Sequence, residues 1–188
     1  TCNVFLLQDG AAGLLIDSGS GAILDHLADL GVRQIEWVLH THHHRDQAQG
    51  AWRLAEHGAR IGVPEREAGL FSQVDAFWRL RKRFDDYDGS SLWHTLARPV
   101  HVDRALRDHE RFTWRGHELL VQPTPGHTRG SVSYLADVDD RATAFTGDVI
   151  AAAGRLDSIH ELQWQYGMPD AVGAAVHTAT LLAGMRLD

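Results

Sequence analysis

His40-Thr41-His42-His43-His44-Arg45-Asp46-Gln47-Ala48-Gln49-Gly50 gathers four imidazoles, a carboxylate and two side-chain amides into one short segment. Before it runs the apolar, β-branched stretch Ile35-Glu36-Trp37-Val38-Leu39, and after it the helix-like Ala51-Trp52-Arg53-Leu54-Ala55. A strand that ends in clustered imidazoles and a carboxylate, then turns into a helix, is a metal-site arrangement. Neutral imidazole and carboxylate are ligands that suit zinc and iron. Side chains of an extended segment alternate faces with period two. His42, His44 and Asp46 therefore share one face, while His43 and Arg45 point to the other. Gln47 breaks this parity and reaches the same face only if the chain is already turning into the helix.

Outward from this segment, the composition is that of a globular domain. The chain has 188 residues, 44% hydrophobic and 23% charged, enough for one domain with a substantial core. A net charge of -7 argues against a general nucleic-acid binder, because phosphate contacts need concentrated positive charge. Cys2 is the single cysteine, so no internal disulfide forms, which fits a reducing, cytoplasmic setting. No apolar run is long enough to span a bilayer, and no signal peptide is visible. The expected partner is a small molecule, with no nucleic acid and no membrane. The opening at Thr1, directly in a strand, suggests a piece of a longer protein.

The hydrophobic pattern alternates strands and helices. Strands are expected at 4–8 and 13–17, joined by the Asp9-Gly10 turn, then at 35–39 and 59–63. Ile23, Leu24, Leu27 and Leu30 have helical spacing, and a helix is expected from the histidine segment to about Gly58. Residues 65–98 read as a helical insertion that covers the core, with a basic aromatic run at 77–84 and an acidic turn at 85–90. Beyond residue 100 come a hairpin over 111–114 and 118–122, strands at 131–135 and 142–145, and a helix from about Pro169 to Met185. Strands interleaved with helices and local hairpins predict helices packed on mixed sheets.

Two later segments add ligand types. Gln122-Pro123-Thr124-Pro125-Gly126-His127-Thr128-Arg129-Gly130-Ser131 is a stiff loop presenting one histidine, and Phe145-Thr146-Gly147-Asp148 ends an apolar strand in a carboxylate. With these three motifs in order, the chain resembles the metallo-β-lactamase-fold metallohydrolases. That family carries His-x-His-x-Asp-His, then Pro-Gly-His-Thr-x-Gly, then Gly-Asp. The matches here are His42-x-His44-x-Asp46-Gln47, Pro125 to Gly130 and Gly147-Asp148, and Asp17-Ser18-Gly19 looks like the family's Asp-x-Gly turn. The resemblance implies an α/β (α+β) fold, a four-layer αβ/βα sandwich, for a single domain over residues 1–188 whose terminal strands and last histidine ligand lie beyond Asp188.

The resemblance also implies a site. His42, His44 and His127 hold a first metal, Asp46 holds a second, and Asp148 bridges them. Gln47 stands where the family has histidine, as a weaker neutral donor. The implied cofactor is one or two Zn2+ ions, with Fe or Mn as alternatives. The implied activity is metal-dependent hydrolysis of an ester, thioester, lactone or phosphoester, with His42, His44 and Asp46 as the catalytic group. Two other readings compete: a mononuclear iron sulfur dioxygenase using His42, His127 and Asp148, and a non-catalytic ligand-binding relative. Of the remaining histidines, His40 is expected to be packed or hydrogen-bonded and His43 to serve outside the ligand set. His26, His57, His94, His101, His109 and His117 are expected on the surface. Trp52 and the apolar residues of 170–185 are expected in the core.

Overall fold

A computed structural model describes residues 2–81, 94–152, 155–156 and 171–185. Two compact units make up the chain: Thr1–Val63 with Glu67–Ala105, and Pro64–Arg66 with Leu106–Asp188.

The first unit is built on a five-stranded sheet in the order β1-β2-β3-β4-β5, where β1 is Phe5–Asp9, β2 Ala12–Ile16, β3 Gln34–Leu39, β4 Arg60–Pro64 and β5 Arg104–Leu106. β1 and β2 form an antiparallel hairpin, and β3 runs parallel to both β2 and β4. Every residue of β2 is buried, as a strand covered on both faces requires. Leu15, Val38, Leu54, Ile61, Val63 and Phe71 form the heart of one apolar cluster.

The helix expected from the histidine segment to Gly58 is in fact two, α1 (Arg45–Ala48) and α2 (Ala51–Glu56). The break falls at Gly50, whose backbone lies against Ser20 and Gly21. A Cβ at Gly50 would sit 2.2 Å from the Gly21 nitrogen. The spacing over 23–30 also yields less than expected: a 3-10 helix over Ala22–His26 with no fully buried residue.

Helical structure follows β4 as expected, with a 3-10 turn at Glu65–Glu67, α3 (Ala68–Ser72) and α4 (Val74–Arg81). Trp78 packs against the core cluster and its indole N–H donates to the Leu96 carbonyl at 2.9 Å. Residues 82–93, which hold the end of the basic run and the whole acidic turn with Tyr87, lie outside the described residues.

The second unit carries an antiparallel meander, β6 (Arg111–Trp114), β7 (His117–Pro123), β8 (Val132–Val138) and β9 (Arg141–Phe145), paired in chain order. Phe112 and Trp114 are buried while Arg111 and Thr113 are exposed, the alternation of a sheet with one covered face. A short antiparallel pair, β10 (Ile150–Ala152) and β11 (Arg155–Leu156), follows, and α5 (Ala171–Gly184) is the last described helix. α5 is not all core as its composition suggested. Leu182 and Thr178 are buried, but Val172 and Val176 are 65% and 57% exposed. Among the described residues no helix is long and apolar enough to cross a membrane.

Candidate metal centre

In the first unit, β2 and β3 are parallel neighbours and end together, with Ile16 opposite Leu39. Ligand sites in such sheets form beyond the carboxyl ends of the strands. Asp17 follows β2 with φ 61°, a left-handed turn stabilised where its N–H donates to the Leu39 carbonyl at 2.9 Å. That turn aims a buried carboxylate at the residue before the ligands. Asp17 accepts from the Thr41 backbone N–H through Oδ1 and from the Thr41 hydroxyl through Oδ2, both at 2.9 Å. The same hydroxyl lies 3.0 Å from His42 Nδ1. His40 is fully buried, 5.2 Å from the Phe71 ring and 3.5 Å from Asp17 Oδ1, packed as expected.

His43 faces a different partner, Glu67. One buried carboxylate oxygen, Oε2, accepts the His43 backbone N–H at 2.7 Å and stands 2.9 Å from its Nδ1. Gln47 is buried in α1, and its main-chain carbonyl accepts three hydrogen bonds: from the N–H of Ser18 at 2.8 Å, the N–H of Gly19 at 3.0 Å and the Ser18 hydroxyl at 3.0 Å. The backbone of Gln47 thus ties α1 to the Asp17 turn whatever its amide does. Asp46 sits half-buried in the first turn of α1. Because α1 begins at Arg45, the period-two parity holds for His42 and His44 but ends before Asp46.

In the second unit, β7 and β8 flank the His127 loop. The Thr124 N–H donates to the Ser131 carbonyl at 2.9 Å, closing its neck. Inside, the Ser131 hydroxyl takes the Thr128 N–H at 3.1 Å and meets the Thr128 hydroxyl at 2.6 Å, while the Thr124 and Ser133 hydroxyls pair at 2.9 Å. The Thr178 hydroxyl of α5 donates to the Pro125 carbonyl at 2.7 Å. Gly126 has φ 144°, and a Cβ there would meet Ala175 Cα at 2.8 Å, so only glycine lets helix and loop approach this closely. Asp148, about one-third exposed, lies with Oδ2 3.7 Å from His127 Nε2.

Among the described residues, the donor atoms of His42, His44 and His127 all lie within 4.8 Å of one another, and all three side chains are buried. One tetrahedral zinc shell holds its nitrogens about 3.4 Å apart, given Zn–N bonds of about 2.0–2.1 Å. Three imidazole nitrogens are the donor type that zinc takes. Among histidine and carboxylate donors, Asp46 and Asp148 are not members of this tight group.

His94, expected on the surface, instead packs edge-on against His44 at 4.7 Å between ring centroids. Glu67 had no sequence signal at all. It lies 24 residues from His43, and one of two glutamates at the start of an expected helix reads as solvated.

The metallo-β-lactamase superfamily model matches residues 1–181. An uncharacterised protein of Mycobacterium tuberculosis is 29% identical over 167 residues, covering 83% of this chain and 72% of the relative. A hydroxyacylglutathione hydrolase of Fuscovulum blasticum is 32% identical over 157 residues, covering 80% of this chain and 48% of the relative, so the chain spans about half of that protein. The subclass B3 metallo-β-lactamase BJP-1 of Bradyrhizobium japonicum superposes with a TM-score of 0.74 at 24% identity, covering 98% of this chain and 68% of that one. A Cronobacter sakazakii metallo-β-lactamase described by its HARLDQ motif gives 0.72 at 23% identity, covering 97% and 70%. These likenesses carry the expected fold class, a mixed α/β sandwich of the metallo-β-lactamase type. With that family match, that fold and a buried histidine triad able to hold a metal, the chain belongs to the metallo-β-lactamase superfamily and is an enzyme of its hydrolase type.

Proposed function

We propose that the chain is a metal-dependent hydrolase whose first metal, zinc, is held by His42, His44 and His127. The observation that carries this reading is the convergence of three buried imidazoles from distant motifs. A zinc ion on three imidazoles supplies hydroxide at neutral pH, because ligation lowers the pKa of water from 15.7 to about 7. Asp46 is assigned to accept a hydrogen bond from the attacking water and so orient it. Asp148, beside His127, is assigned to a second metal together with Asp46, with the Gln47 amide as a weak third donor. The Cronobacter protein's motif also ends in Asp-Gln, which supports reading Gln47 as a variant of the site rather than its loss. An all-imidazole group suits zinc hydrolysis better than an iron dioxygenase, which takes two histidines and a carboxylate.

A thioester of the hydroxyacylglutathione type is the substrate class we favour, from the names of relatives at 26–32% identity. We further take residues 1–188 as one domain with a helical insertion at 65–98, acting on a small molecule in the cytoplasm. The test is hydrolysis of an S-hydroxyacylglutathione, a simple lactone, a phosphodiester and a β-lactam by zinc-loaded and chelator-treated protein. We expect turnover of the thioester above the others and its loss on chelation, restored by zinc. Turnover that persists in metal-free protein, or no zinc uptake at all, overturns the reading.

A further inference from the structure

We infer that Glu67 is a positioning residue for the metal centre, acting through His43 to fix the spacing of the two ligands on either side of it. The inference rests on the zinc-site reading above. His43 is the single residue between His42 and His44, so its backbone torsions set where those two imidazoles point. Glu67 Oε2 holds this residue at two atoms at once, the backbone N–H at 2.7 Å and ring Nδ1 at 2.9 Å. With the main chain and the ring both tethered to one oxygen, His43 cannot change its torsions without breaking a hydrogen bond.

The ring is also in contact with a ligand. It lies 4.9 Å from His44, centroid to centroid, in an edge-on arrangement, and His44 is edge-on to His42 at 4.7 Å. Rotation of His43 would therefore push on His44 directly. Glu67 is 2% exposed, and a carboxylate taken that far from water needs such bonds to remain there. It stands on the 3-10 turn that follows β4, a core strand paired with β3. The clamp thus refers the ligand loop to the sheet. Hydrogen bonds to a charged acceptor are each about twice as strong as neutral ones, which makes a buried carboxylate an effective anchor.

The test compares Glu67→Ala, Glu67→Asp and Glu67→Gln with wild type in three measurements: zinc affinity by chelator competition, the visible absorption of cobalt-loaded protein, and thermal unfolding of the metal-free form. Partners that orient a ligand from outside the shell are worth about 10–100-fold in metal affinity. We expect Glu67→Ala to lose that much and to shift the cobalt bands. Glu67→Gln should recover most of both, since its amide oxygen can accept the same two bonds. A merely structural residue would lower the unfolding temperature and leave the bands of the folded fraction unmoved. If Glu67→Ala does not fold, Glu67→Asp decides, because its shorter carboxylate keeps the charge but cannot reach both donors. Zinc affinity and cobalt bands equal to wild type in the folded variants overturn the inference. A wild type that binds neither ion removes the zinc-site reading, and the inference with it.

Discussion

The two loops that carry the histidine triad are held by opposite chemistry. Around His42 and His44 the restraints are buried carboxylates: Asp17 takes two donors from Thr41, and Glu67 takes the backbone and ring of His43. Around His127 they are neutral: the Ser131, Thr128, Thr124 and Ser133 hydroxyls, Thr178, and two prolines that stiffen the backbone. The first loop leaves a strand end and bears adjacent imidazoles, so it needs strong acceptors for several N–H groups. The second is closed at its neck by the strand pair β7 and β8, and weak bonds are enough to shape it. Charged anchors are few and individually decisive, whereas hydroxyl networks spread the same task over many small contributions.

Substitutions should follow that difference. The largest effect belongs to the ligands themselves: His42→Ala, His44→Ala or His127→Ala should weaken zinc binding by more than the about 10–100-fold that an outer partner is worth, read by chelator competition. If any one of them binds zinc like wild type, that histidine is not a ligand. Next comes Asp17→Ala. At about 1.5–3 kcal/mol for each hydrogen bond to a charged group, loss of two should cost about 3 kcal/mol or more, seen as a lower urea midpoint with unchanged slope. Ser131→Ala removes two neutral bonds and should cost about 1–3 kcal/mol by the same measurement. A Ser131 variant that costs more than the Asp17 variant would erase the contrast between the loops. At the far end, Glu118→Ala breaks an ion pair with Arg111 in which both side chains are half or more exposed, and should change stability by about 1 kcal/mol or less.

The contrast also marks what could be read from the sequence. Strand positions and the histidine face were legible because period-two alternation is a local property, and the three ligand motifs lie in continuous segments. The end of that parity at Asp46 was not legible. It depends on α1 starting at Arg45, where the Gln47 carbonyl is bonded to the Asp17 turn. Nor was the break at Gly50, whose backbone lies against that of Gly21. Glu67 and His94 act through contacts that span 24 and 50 residues, and nothing in their own neighbourhoods signals them. The exposed valines of α5 were misread because an apolar composition without a clear periodicity does not say which face is covered.

X-ray absorption at the zinc edge, on protein loaded with one equivalent of zinc, tests the triad most directly. A shell containing three imidazole nitrogens at about 2.0–2.1 Å is expected, reduced to two in His127→Ala. A shell dominated by oxygen donors, or one unchanged when His127 is removed, would contradict that expectation.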